Sequence, residues 1–207
     1  MPSPVYVAGT PGNLASSLAV TPGATAAVLL DISTDVEGQL TCELIIGSTA
    51  PTAPTTFDAY GAYAAGSSAP LSLSGSAASG TTALPLNASG NLAGLHTGQK
   101  VAVISASSGV GEIVTLSATP SGTGAQSVGC STLINSYASG DHVYLMASTP
   151  TAAVAPADPS SLTWAPSTDY SSRVYLGASQ YIIGVANTDA AANVTVALTL
   201  DKITAIQ

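Results

Sequence analysis

The sequence is poor in charge. Only 7% of its 207 residues are charged, against about 25% in an average soluble domain. The bases are Lys100, Arg173 and Lys202, and eleven acids bring the net charge to −8. Three scattered cations cannot neutralise a phosphate backbone, which excludes nucleic acid as a partner. The acidic balance equally excludes an anionic membrane surface. Large aromatics are scarce too, with one Phe (Phe57) and one Trp (Trp164). No apolar run approaches the ~20 residues of a spanning helix. The opening MPSPVYVAGT lacks the basic start and apolar core of a signal peptide, so the expectation is a soluble chain made in a cytoplasm. Cysteine is limited to Cys42 and Cys130. Two residues so far apart make neither a disulfide framework nor a metal site, and both read as buried thiols acting as small hydrophobes.

What the chain does have is Ala, Ser, Thr and Gly, arranged in short alternating runs. In Val194–Leu200, Val194, Val196, Leu198 and Leu200 alternate with Thr195, Ala197 and Thr199, the period of a half-buried strand. With Tyr181–Ala186 and a turn at Asn187-Thr188-Asp189, this reads as a hairpin around which the rest is organised. Leu14–Val20 and Ala26–Ile32 read as strands on either side of Thr21-Pro22-Gly23. Gln39–Gly47 follows as the hairpin partner of the second, with Leu40, Cys42, Leu44 and Ile46 on one face. Residues 1–13 carry Pro2, Pro4 and Pro11 and read as an irregular, frayed arm. No segment has sustained 3.6-residue periodicity, so very little helix is expected; a single helical turn at Leu133–Ala138 is the exception.

Two Pro-rich stretches, Ser48–Thr56 and Thr149–Pro166, read as linkers. Phe57, Tyr60 and Tyr63 look like anchors after the first, and Trp164 like a plug within the second. Between the linkers, short strands at near-regular spacing are separated by Gly turns. The expected fold is all-β: a host β-sandwich (1–66 and 149–207) with a second small β-barrel or sandwich module (67–148) inserted in a loop. Mean hydropathy is +0.41, which small apolar residues and a large subunit interface would together explain.

The candidate chemistry is thin. His96 and His142 are the only histidines; Asp141 or Glu112 could add a ligand, but no zinc spacing exists and both histidines read as exposed turn residues. No G-x-S-x-G elbow is present. Asp31, Asp35 and Glu37 form the tightest acidic group, suited at most to Ca²⁺ and otherwise solvated turn carboxylates, as are Asp189 and Asp201. Gly122-Thr123-Gly124 lacks the Lys and helix of a phosphate loop. Asn87-Ala88-Ser89 and Asn193-Val194-Thr195 match the glycosylation pattern, which is idle in a cytoplasm. Tyr60, Tyr63, Tyr137, Tyr144, Tyr170, Tyr175 and Tyr181 suit packing and subunit contacts better than sugar stacking. No catalytic, metal or cofactor site is expected.

Several motifs resemble one family of proteins. GTTALPL (80–86), Gly-Leu-x-x-Gly-Gln-x-Val (94–101), Gly-Glu-Ile-Val-Thr (111–115) and Tyr-Ala-Ser-Gly-Asp-x-Val-Tyr-Leu (137–145) look like a module that recurs in structural proteins of tailed bacteriophages. The host part is similar to those proteins in style, with Val174-Tyr175-Leu176-Gly177 followed by Tyr-Ile-x-x-Val-Ala-Asn-Thr-Asp at 181–189. The resemblance implies a virion component: a capsid decoration (cement) protein, a head fibre or a tail-associated protein. It implies homo-oligomers, a trimer among them, contact with the major capsid protein or other virion proteins, and no enzyme. The alternative is a tail- or fibre-associated receptor- or carbohydrate-binding protein, with Tyr137 and Tyr144 as its test residues.

Overall fold

The structure is a computed structural model. It describes residues 6–8, 12–32, 37–46, 51–53, 55–63, 71–87, 92, 95–121, 124–146, 161–164, 170–177 and 180–206. The protein is all-β, with antiparallel sheets and no α-helix among the described residues. No helix among them is long and apolar enough to cross a membrane. The chain divides into two compact units: 1–26 with 30–61 and 150–207, and 27–29 with 62–149.

The first unit contains β1 (Tyr6–Ala8), β2 (Gly12–Val20), β3 (Thr25–Asp31), β4 (Glu37–Ile46) and β5 (Thr55–Tyr63), apart from the centre of β3 and the end of β5. It is completed by β12 (Ser161–Trp164), β13 (Tyr170–Gly177), β14 (Gln180–Asn187) and β15 (Val194–Ile206). One sheet is centred on β15, which carries β4 along one edge and β2 followed by β1 along the other. β13 continues that sheet beyond β4. The other places β5 between β12 and β14. Val194, Val196, Leu198 and Leu200 are buried and the residues between them half-buried, as the alternation predicts. Each buried Leu or Val contributes about 1.5–3 kcal/mol.

Pairing departs from the sequence reading. β14 and β15 are not a hairpin: β14 pairs with β5 and β15 with β4 and β2. Nor do β3 and β4 pair, since they lie in different sheets. Successive strands cross from one sheet to the other, so turn chemistry was right about the reversals and wrong about the neighbours. Three further expectations are corrected. Tyr6–Ala8 and Gly12-Asn13 are paired strand, not frayed arm. Phe57, Tyr60 and Tyr63 are strand residues of β5 rather than linker anchors. Trp164 ends β12, in register with Thr55. Thr55 itself is buried, and its hydroxyl has no hydrogen-bond partner. Thr55→Val removes that orphan while keeping the shape, and should raise stability by about 1 kcal/mol in urea titration.

The second unit contains β6 (Leu71–Ser72), β7 (Ala83–Leu86), β8 (Lys100–Ile104), β9 (Val110–Thr115), β10 (Gln126–Gly129) and β11 (His142–Met146). β8 lies between β9 and β11, β6 flanks β11, and β7 pairs with β10. Ala27 and Val28 are in register with Gly111 and Val110. Leu71, Leu84, Leu86, Val101, Leu116 and Leu133 are among the residues of a continuous buried core.

This unit is built on one turn used three times. At 78–81, 96–99 and 138–141 the fourth residue's N–H donates to the first residue's carbonyl, at 3.2, 3.1 and 3.2 Å. Gly80, Gly98 and Gly140 hold the third position with φ of 85, 84 and 92°, where any other residue is strained. The fourth side chain then closes each turn. Thr81 Oγ1 donates to the Ala78 carbonyl at 2.7 Å. Gln99 Oε1 accepts from His96 N–H at 3.1 Å, and Asp141 Oδ2 from Ala138 N–H at 2.8 Å.

Two of the turns sit in a longer repeat, Leu-x-x-Ser-x-Ala-Ser-Gly, at 73–80 and 133–140. The copies pair with each other about a local two-fold. Ala77 and Tyr137 exchange N–H···O bonds at 3.0 and 2.8 Å. Leu73 N–H donates to the Asp141 carbonyl and Leu133 N–H to the Thr81 carbonyl, both at 2.9 Å. The expected helical turn at 133–138 is therefore absent; Tyr137 lies in a strand bridge.

Candidate functional site

Among the described residues the polar chemistry gathers on three buried carboxylates, and each braces a turn. Glu112, on β9, is 1% exposed. Its Oε2 accepts from Ile134 N–H at 2.9 Å, and its Oε1 from Asn135 N–H at 2.8 Å and the Tyr137 hydroxyl at 3.2 Å. Glu112 lies on a strand whose neighbour Val114 is core, so the 131–136 loop is tied directly to the sheet. Burial first, and then the Glu112 charge, hold the Tyr137 hydroxyl well above the ordinary phenol range. Tyr137 thus stays a neutral donor.

Asp141 performs the same work between two loops: Oδ1 accepts from Ala106 N–H at 2.9 Å while Oδ2 closes its own turn. Asp189 is the third. Its Oδ2 accepts from Thr52 N–H, Thr52 Oγ1 and Ala53 N–H at 2.5, 2.9 and 3.0 Å. Oδ1 accepts from Ala191 and Ala192 N–H at 2.8 and 2.7 Å. Beside it, Asn187 donates through Nδ2 to the carbonyls of Val20 and Ala192 and accepts from Asp189 N–H through Oδ1. Three chain segments are joined at this corner.

The Ala192, Ala191 and Thr52 N–H groups, and then the Thr52 hydroxyl, hold the Asp189 carboxyl well below the usual carboxylate range. A carboxyl whose folded pKa is depressed stabilises the fold above its unfolded pKa of about 3.9, and loses that contribution as pH falls below it. Asp189→Asn should therefore lower Tm on the order of 5 °C at neutral pH. The gap from wild type should narrow as pH drops below about 4 in a calorimetric series.

The remaining candidates do not converge. His96 is exposed in its turn, with Nδ1 3.2 Å from the Thr97 carbonyl oxygen. His142 is half-buried on β11; its ring meets Tyr144 edge-on at 6.1 Å, and its Nδ1 has no hydrogen-bond partner. No group of three His, Cys, Asp or Glu side chains suited to a metal occurs among the described residues. Asp31 is exposed at the end of β3, where it accepts from Gln180 Nε2 at 2.7 Å. Glu37 begins β4, Asp35 lies outside the described residues, and Asp201 lies on β15. Asp189 is not the solvated turn carboxylate the sequence suggests but is buried, as are Glu112 and Asp141. Asn193 is exposed, Asn87 is exposed beside residues 88–90, which are outside the described set, and so are Gly122 and Thr123. Tyr137, Tyr144 and Tyr181 are buried; Tyr60, Tyr63, Tyr170 and Tyr175 lie on β5 and β13.

Cys42 lies on β4. Cys130 is free, buried in the core of the second unit. Burial, with the Glu112 charge adding to it, pushes its thiol up to about 11. A Cys42→Ser chain should react with a disulfide reagent at pH 8 about 100-fold more slowly when native than in denaturant, read by thiolate absorbance.

No family model matches this chain, and no curated protein matches it. Among solved structures, the D431N mutant VP2 protein of infectious bursal disease virus, from derived T=1 particles, aligns at 11% identity with a TM-score of 0.12. The alignment covers 95% of this chain and 41% of that one, so the chain spans less than half the length of that protein. A likeness of this size carries no argument about fold or function.

Proposed function

We propose that this protein is a non-enzymatic structural component of a tailed-bacteriophage virion, a capsid decoration protein that oligomerises and binds the capsid surface. In this reading residues 67–148 are a module inserted in a host β-sandwich, and the chain is made in the host bacterial cytoplasm and ends in the virion. The observation that carries the non-enzymatic part is the state of the buried carboxylates. Glu112, Asp141 and Asp189 all accept backbone N–H groups that the fold supplies. A catalytic carboxylate instead faces a substrate. The all-β architecture and the phage-like turn motifs support the virion part.

A receptor- or sugar-binding tip is the competing reading, and its named residues do not favour it: Tyr137 and Tyr144 are 4% and 6% exposed, so neither ring is available for stacking. The test is light scattering of the purified chain with and without empty capsids of its phage. Saturation of capsids at a fixed ratio supports decoration. A chain that ignores capsids sinks the decoration reading, and glycan arrays then become the next assay.

A further inference from the structure

We draw no further inference here: the strongest candidate, the outer edge of β13 (Tyr170–Gly177), whose one strand partner among the described residues is β4, carries nothing, because nothing in the structure shows what covers it.

Discussion

Glu112→Ala should destabilise the second unit by about 3–5 kcal/mol, the cost of taking one buried acceptor from three donors at once. The carboxylate is 1% exposed, and its removal strands the N–H groups of Ile134 and Asn135 and the Tyr137 hydroxyl. A buried donor left without a partner costs about 1–3 kcal/mol, and bonds to a charged acceptor are the stronger kind. Glu112→Gln keeps one acceptor oxygen but turns an amide N–H₂ toward donors, so it should recover roughly half of the loss. Urea titration followed by tyrosine fluorescence gives both values. Amide exchange at Ile134 and Asn135 should accelerate in each variant, and an unchanged exchange rate would contradict the bracing role.

Gly111→Ala should be nearly as damaging, on the order of 3 kcal/mol or more, for a steric reason. A Cβ built at Gly111 would lie 1.7 Å from the Val103 carbonyl oxygen on the neighbouring strand, and 2.9 Å from the Ile104 Cα. Backbone cannot swing away as a side-chain tip can, so β8 and β9 must separate where Gly111 registers with Ile104. Glycine in a strand marks such a close approach. At Gly75 the nearest atom to the added Cβ is the Pro85 Cγ at 4.0 Å, so Gly75→Ala serves as the control and should change stability by less than about 0.5 kcal/mol. Equal losses for the two variants would remove the steric account.

Strand existence was legible because burial writes a period of two into the sequence. Val194 to Leu200, Ala83 to Leu86 and Val101 to Ile104 all appear where alternation or a short apolar run places them. Partnership was not legible. Alternation says that Val196 faces inward but carries nothing about whether its neighbour is Leu44, Leu18 or a residue of β14, and tight turns suggested the nearest strand. The carboxylate braces were equally hidden. Asp141 and Asp189 follow or occupy turns, where solvation is the ordinary fate, and Glu112 reads as the polar member of an alternating strand. Only the distant donors distinguish them: Ile134, Asn135 and Tyr137 for Glu112, Ala106 for Asp141, and Thr52 and Ala53 for Asp189. The repeat at 73–80 and 133–140 was visible, yet small residues make such matches easy to pass over. The recurrence of Ser-x-Ala-Ser-Gly before a hydrophobic alternation was the signal.

The crossing of successive strands between sheets has a consequence for how the protein is made. β4 has β15 and β13 as its sheet neighbours, and both are translated long after it. Residues 37–46 therefore leave the ribosome with both hydrogen-bonding edges open; one waits for 170–177 and the other for 194–203. Long-range closure of this kind slows folding by orders of magnitude relative to local pairing, and an open, apolar strand is vulnerable to aggregation meanwhile. Pulse-labelled nascent chains released before Val194 should be protease-sensitive across 37–46, with protection arriving only as the last strand docks.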